Sequence, residues 1–202
     1  MRWELFFVVL RTIFSNENVN AEGPAIFIDR DGVINCRKPG DYVLDFSQFV
    51  FVPGIRAAMK QLASLHLPII VISNQAAVGK GLLDLAGLDE ITARMQQALL
   101  EDGTALTAVY YCPHRPDENC LCRKPKPELL YRAAADFNIH LRRSVFIGDS
   151  ETDVQAAMSA GCEPILFGPG LSDSSRLSQW KASLPIAAKV EDIFGVVVRC
   201  LR

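Results

Sequence analysis

The segment AIFIDRDGVIN, Ala25 to Asn35, carries four apolar residues that end abruptly in two aspartates. A short apolar run bounded by turn residues is the pattern of a buried strand, and the charges mark where it leaves the core. Residues i and i+2 of a strand point the same way, so Asp29 and Asp31 can face one pocket. Like charges at that spacing repel unless a cation or a shared proton relieves them. A strand that closes on paired carboxylates therefore predicts a site at its carboxyl end.

On either side of this segment the pattern repeats. Short apolar runs alternate with helical ones from Pro24 onward, the sequence sign of a mostly parallel sheet with helices on both faces. LPIIVIS predicts a strand ending at Ser73, LTAVYY another, SVFIG a third and PILFG a fourth. Between them, IRAAMKQLASLH places Ile55, Ala58, Met59, Leu62 and Leu65 on one helical face. Further helices are expected from about Asp89 to Glu101, over PELLYRAAADF, and over TDVQAAMSA, where Gly161 closes the helix. Residues 171–202 predict a loop, a short segment near Leu184 to Val190, and a final helix containing Ile193, Phe194, Val197 and Val198. No repeat is present.

The chain has 202 residues, half of them hydrophobic and 22% charged, with 13 glycines and 11 prolines. That length and balance suit one compact domain and exclude a disordered or fibrous chain. Lysines and arginines number 21 against 23 acids, a formal charge of -2, which gives no general attraction for nucleic acid or anionic membrane. At the amino terminus, Met1 to Phe14 holds an uninterrupted apolar run only from Leu5 to Leu10. Six residues cannot span a bilayer, and Glu4 interrupts any signal-peptide pattern. Residues 1–22 are expected to be an extension of unassigned role that packs on the domain or frays, and residues 23–202 a single domain. Six cysteines are too few for a disulfide scaffold. Three of them, Cys112, Cys120 and Cys122, cluster with His114, which points to a reducing, cytoplasmic compartment and a metal candidate.

Ligands of open parallel sheets gather beyond the carboxyl ends of the strands. Those ends here are DRDG at Asp29, SNQ at Ser73, the stretch RKPKP after the cysteines, and GDSETD at Asp149. With Asp149 joining Asp29 and Asp31, three oxygen donors suit Mg2+, which takes one or two carboxylates and often a substrate phosphate. Ser73 and Asn74 add neutral donors and Lys124 a fixed cation, a set able to hold the oxygens of a transferring phosphoryl group. Taken singly, a DxD turn, a capping serine and a solvated lysine are ordinary surface features. Their joint occurrence, each just beyond an apolar strand, is what the ordinary readings explain poorly.

These four segments resemble the motifs of the haloacid dehalogenase-like phosphatases, over about residues 24–168. Within that superfamily the chain resembles most the heptose-bisphosphate phosphatase branch, and next the histidinol-phosphate phosphatase branch. The features that carry this are DRDGVIN, Tyr42-Val43, the Phe51-Val52-Pro53-Gly54 segment, NQAAVGKG and CPHRPDENCLCRKPKP. The resemblance implies an α/β haloacid dehalogenase-like fold and Mg2+-dependent hydrolysis of a small phosphorylated sugar on the route to nucleotide-activated heptose. Asp29 would be the nucleophile and Asp31 the acid and base. Mg2+ would be held by the carboxylates of Asp29 and Asp149 and the backbone carbonyl of Asp31. Ser73 and Lys124 would stabilise the phosphoryl group, while Asn74, Gln75 and Arg123 would contact the substrate. Asp153 would support the site rather than bind metal. Ser150 departs from the branch, whose members often carry lysine there.

The cysteine cluster then spells Cys112-x-His114-x5-Cys120-x-Cys122, a full tetrahedral set for structural Zn2+ that leaves no position for a catalytic water. Such a zinc loop would fix Arg123 and Lys124, which follow it directly. His66 and His140 are expected at a helix end and on the surface, Cys36 as an inert thiol, and Trp3 and Trp180 as packing residues. No insertion before the Ser73 strand is long enough for a large cap domain, so an open site on a monomer is expected. Histidinol-phosphate hydrolysis, a nucleic-acid end phosphatase and a non-catalytic zinc-stapled binding module are the rivals. The last predicts a damaged site, yet every motif residue is present.

Overall fold

The computed structural model describes residues 10–14, 22–37, 42–168 and 183–201. Trp3, Trp180 and most of the apolar run at the amino terminus lie outside them. The described elements, in chain order, begin with strands β1 (Leu10–Ile13) and β2 (Ile26–Ile28), helix α1 (Ile55–Ala63), strand β3 (Ile69–Asn74), and helices α2 (Ala76–Gly79) and α3 (Leu85–Glu101). Strand β4 (Ala108–Cys112), helix α4 (Glu128–Phe137), strand β5 (Val145–Gly148) and helix α5 (Glu151–Ala160) follow. The chain then runs through β6 (Glu163–Phe167) and β7 (Ile186–Ala187) to α6 (Asp192–Cys200).

The strands form one sheet in the order β1-β4-β3-β2-β5-β6-β7, parallel throughout except for β1. Because side chains alternate along a strand, each central strand feeds two cores. Ile26, Ile28, Ile69, Val71, Val145 and Ile147 face α1, α3 and α6 on one side. Phe27, Ile70, Ile72 and Phe146 face α4 and α5 on the other. The doubly covered parallel sheet is the fold expected from the sequence. Between β2 and β3 the helices among the described residues are a short 3-10 turn, Phe46–Gln48, and α1.

Two local differences from the sequence expectation have simple causes. Helix α3 starts at Leu85 rather than near Asp89, because the Asp84 carboxylate accepts a hydrogen bond from the Gly87 amide (2.7 Å) and caps a turn that Gly87 disguises. Strand β1 was not expected as a strand. It pairs antiparallel with β4, Leu10 opposite Tyr111, and so draws residues ahead of position 23 into the sheet. Arg11 reaches from it to Asp136, whose carboxylate also accepts from the Tyr110 hydroxyl (2.7 Å).

No helix among the described residues is long and apolar enough to cross a membrane.

Leu99 on α3 is fully buried against the sheet. Leu99→Ala is expected to lower the unfolding free energy by about 2–5 kcal/mol, read from urea denaturation; a loss under about 1 kcal/mol would show that α3 does not carry this core.

Candidate active site

Register brings the polar strand ends together. Ile28 of β2 lies beside Ile147 of β5 and Val71 of β3, so Asp29 emerges next to the end of β5, and the Asp29 amide donates to the Ile147 carbonyl (2.9 Å). Asn74, last in β3, pairs with Cys112, last in β4, which sets the second strand end against the start of the cysteine loop. The carboxyl ends of the strands open onto a cavity of about 560 Å3 lined by Asp29, Asp31, Ser73, Asn74, Gln75, Arg123 and Lys124, with Arg37, Tyr42 and Ser150 among its other walls.

At the centre is the ammonium of Lys124. Its Nζ lies 2.9 Å from Asp29 Oδ1 and 2.6 Å from Asp153 Oδ1, and it donates to the Ile72 carbonyl (3.0 Å). Only 3% of the side chain is exposed. Burial works against the charged lysine, but Asp153 and Asp29 outweigh it and hold its pKa above the ordinary lysine value. Asn74 clamps the backbone of the same residue: its Oδ1 accepts from the Lys124 amide (3.0 Å) and its Nδ2 donates to the Lys124 carbonyl (3.2 Å). The structure thus gives Asn74, expected to touch substrate, the further task of fixing the lysine.

Acidic oxygens of Asp29, Asp149 and Asp153 lie within 4.8 Å of one another. Burial first, and then the neighbouring carboxylates, push the Asp29 carboxyl up to about 7 against the opposing pull of Lys124. The Asp149 carboxyl is pushed up to about 6, again by burial first and then by Asp153, with Arg37 and Lys124 opposing. Asp149 Oδ1 is buried with no hydrogen-bond partner among the described residues. Gly32, at φ +103°, leaves room for this carboxylate, since a Cβ there would stand 2.0 Å from Asp149 Oδ2. Crowded, oxygen-only and electron-rich, the pair Asp29 and Asp149 fits a hard divalent cation such as Mg2+.

Asp31 differs from the sequence expectation in one respect. Its carboxylate is not among the converging acids; it is turned to Arg30, Asn35 and Gln75, leaving only its backbone carbonyl as a metal donor. Burial would raise its pKa, but the Arg30 charge and the hydrogen bonds from Gln75 and Asn35 hold it below the ordinary value. Gln75 is 3% exposed and its amide is engaged on both sides, with Arg30 and with Asp31 and Ser73. It therefore faces Asp31 more than the open cavity. Asp153, expected to support the site, is engaged on both oxygens: Oδ2 accepts from the Ser150 amide (3.1 Å) and hydroxyl (2.6 Å), capping α5, while Oδ1 meets Lys124. Ser150, the departure noted above, has become the cap that aims Asp153.

The cysteine loop closes on itself. Cys112 Sγ stands 3.5 Å from Cys120 Sγ and 3.6 Å from His114 Nδ1, and Cys122 Sγ is 3.7 Å from Cys120 Sγ and 3.3 Å from His114 Nδ1. All four are buried, and no disulfide joins these cysteines. Tetrahedral zinc with Zn–S ~2.3 Å and Zn–N ~2.0 Å has ligand-to-ligand edges of about 3.5–3.8 Å, which these spacings approach. Arg123, next in the chain, donates through Nη1 to the His114 carbonyl (3.3 Å), so the loop grips the side chain it presents. Cys36 lines the cavity as a free, partly buried thiol, and His66 and His140 are exposed, His66 just past the end of α1.

Replacing the buried ammonium by an isosteric apolar chain leaves two acids unpaired. Lys124→Met is expected to lose about 3–5 kcal/mol of stability in urea at neutral pH. A variant as stable as the parent would show that the lysine is not the partner of these acids.

With this geometry in view, comparison with known proteins is direct. A HAD-hydrolase-like family model matches residues 121–193. The D-glycero-beta-D-manno-heptose-1,7-bisphosphate 7-phosphatase of Helicobacter pylori strain J99 is 39% identical over 137 residues, 67% of this chain and 78% of that protein. The enzyme of the same name from Bordetella bronchiseptica is 33% identical over 178 residues, 88% of this chain and 97% of that protein. Among solved structures, the D,D-heptose 1,7-bisphosphate phosphatase from B. bronchiseptica, complexed with magnesium and phosphate, superposes with a TM-score of 0.77 at 29% identity, covering 87% of this chain and 98% of that one. Identity at this level, over two thirds or more of both chains, places the protein among the haloacid dehalogenase-like hydrolases, in the heptose-1,7-bisphosphate 7-phosphatase family.

Proposed function

We propose that the chain is a Mg2+-dependent phosphatase that removes the 7-phosphate of D-glycero-D-manno-heptose 1,7-bisphosphate, leaving the 1-phosphate for conversion to nucleotide-activated heptose. The observation that carries this is the convergence of the Asp29 and Asp149 carboxylates, with Lys124 on Asp29, beside a strand-end cavity that Asp29 and Lys124 line, in a family whose solved member holds magnesium and phosphate. Asp29 and Asp149, with the Asp31 backbone carbonyl, would hold the Mg2+. Bound there, it supplies positive charge that offsets repulsion between the nucleophile and the phosphate.

The chain's own residues account for the rest. The Asp29 carboxylate attacks phosphorus in line, the bond to the sugar oxygen breaks, and an aspartyl-phosphate forms. The Asp31 carboxyl gives its proton to the departing oxygen. It then takes one from the water that cleaves the aspartyl-phosphate, releasing inorganic phosphate and restoring Asp29. Held below the ordinary carboxylate value in the free protein, Asp31 takes up this proton from water when the anionic phosphate approaches and raises its proton affinity. Ser73 and Lys124 steady the transferring oxygens. Arg123, half-exposed at the cavity and gripped by the His114 carbonyl, presents a planar guanidinium suited to the distal phosphate. The four-ligand loop would hold Zn2+ as a structural staple that fixes both cations. The protein is expected to act as a cytoplasmic monomer.

Phosphate release across a panel of heptose bisphosphate anomers, hexose bisphosphates and histidinol phosphate tests the substrate. The heptose bisphosphate should show the highest kcat/KM, and Asp29→Asn should lower it by at least ~10^4-fold. A higher kcat/KM for histidinol phosphate would overturn the substrate, and retained turnover by Asp29→Asn the nucleophile.

Metal analysis of freshly purified protein should find about one zinc per chain. Its removal by a chelator should lower Tm by more than ~5 °C together with activity. Zinc content near zero would sink the staple.

A further inference from the structure

Arg30 lies between the nucleophile and Asp31 in sequence, yet its side chain is only 1% exposed, a rare position for a guanidinium. It stacks over the Tyr111 ring, 5.7 Å from the centroid, and the Tyr111 hydroxyl is held by Thr92 Oγ1 (3.0 Å), which itself donates to the Leu88 carbonyl of α3 (2.8 Å). From this bed Arg30 Nη2 donates to both oxygens of Asp31 (3.0 Å each), and Nε adds a bond to Oδ1 (3.2 Å). The same Nη2 also donates to Gln75 Oε1 (2.8 Å), while Gln75 Nε2 donates to Asp31 Oδ2 (2.7 Å). The three side chains close a ring. A planar fork and a bonded amide fix both the position and the rotation of a carboxylate, which a single contact cannot do. Keeping a guanidinium out of water is costly. The ring and the Tyr111 face offset part of that cost, while Arg30 Nη1 is buried with no hydrogen-bond partner among the described residues.

We propose that Arg30 and Gln75 are positioning residues that hold the Asp31 carboxyl in the orientation needed to protonate the leaving oxygen. With the chain acting as the phosphatase proposed above, their work falls in one step. As the phosphorus–oxygen bond to the sugar breaks and Asp29 takes the phosphoryl group, the Asp31 proton moves to the sugar oxygen. Water later returns a proton to Asp31 when the aspartyl-phosphate is cleaved. An alkoxide is a poor leaving group and needs that proton; p-nitrophenolate is a good one and does not.

The dependence on leaving group therefore separates positioning from general structural support. In the full-length protein, Gln75→Leu and Arg30→Lys are compared with the parent and with Asp31→Asn, using kcat/KM, which reports only steps up to alcohol departure. Gln75→Leu keeps the buried Arg30–Asp31 charge pair, so it guards against a failure of the arginine variant to fold, and thermal melting checks both. We expect kcat/KM to fall ~100-fold for the heptose bisphosphate and no more than ~10-fold for p-nitrophenyl phosphate, the same skew as Asp31→Asn. Arg30→Lys, with charge but no fork, should show the same skew. Equal losses on the two esters, or no loss on either, would overturn the positioning role while leaving the phosphatase intact. Parent protein that cleaves neither ester would overturn both.

Discussion

A lysine ammonium shut away from water ties the functional end of this sheet together. Lys124 reaches the carboxylates that follow β2 and begin α5, and donates to a carbonyl of β3. Burying an isolated charge costs several kcal/mol, so the lysine is tolerable only where two acids and a carbonyl receive it. Those acids in turn would repel one another without it. Neither half of the arrangement is stable alone, and the geometry of the cavity follows from their dependence. Because Lys124 stands two residues after Cys122, the cysteine loop sets where that charge falls, and Asn74 pins the backbone of Lys124 itself. A zinc staple remote from any reacting atom would thereby act on the site through the position of one cation.

Two aspartates two residues apart have opposite surroundings. Burial and neighbouring acids lift Asp29 to about 7, whereas Arg30, Gln75 and Asn35 overcome burial at Asp31 and lower it. With no metal bound this order is the reverse of what a nucleophile and an acid need, since the general acid is usually the raised member of such a pair; a cation held at Asp29 would lower that carboxyl. Burial lifts Asp29 first, and then the neighbouring carboxylates that a divalent cation would relieve; Asp31 is lowered by Arg30, a protein cation in the core, and by the amides bonded to it. One environment is open to a cation, whereas in the other the Asp31 carboxylate already receives its donors from Arg30, Asn35 and Gln75.

Much of this is legible in the sequence. The central strands are apolar on both faces and end in polar residues, so AIFID, LPIIVIS and SVFIG are visible as runs, and the strand-end residues as a candidate site. Strand β1 was hidden because four residues with alternating exposure, at one edge of the sheet, carry little pattern of their own. Gln75 and Asn74 were legible as residues at a strand end, but not their partners. An amide can face substrate, backbone or another side chain equally well, and only packing chooses. Ser150 looked like a defect in the motif; its hydroxyl caps α5 and holds Asp153.

The sequence by itself determined the alternation that builds a doubly covered parallel sheet, the acids and cations at the strand ends, and the four-ligand spacing from Cys112 to Cys122. These are local properties, written in periodicity and in side-chain chemistry over a few residues. Only the tertiary structure decided which acid meets Lys124, which donor turns Asp31, and that Arg30 is buried rather than solvated. Those outcomes depend on strand order and register, which set β2 between β3 and β5 and bring residues from distant parts of the chain within hydrogen-bonding distance. Hydrogen bonds weaken steeply once donor and acceptor part by more than about half an ångström, so partner choice rests on non-local packing that no local pattern encodes.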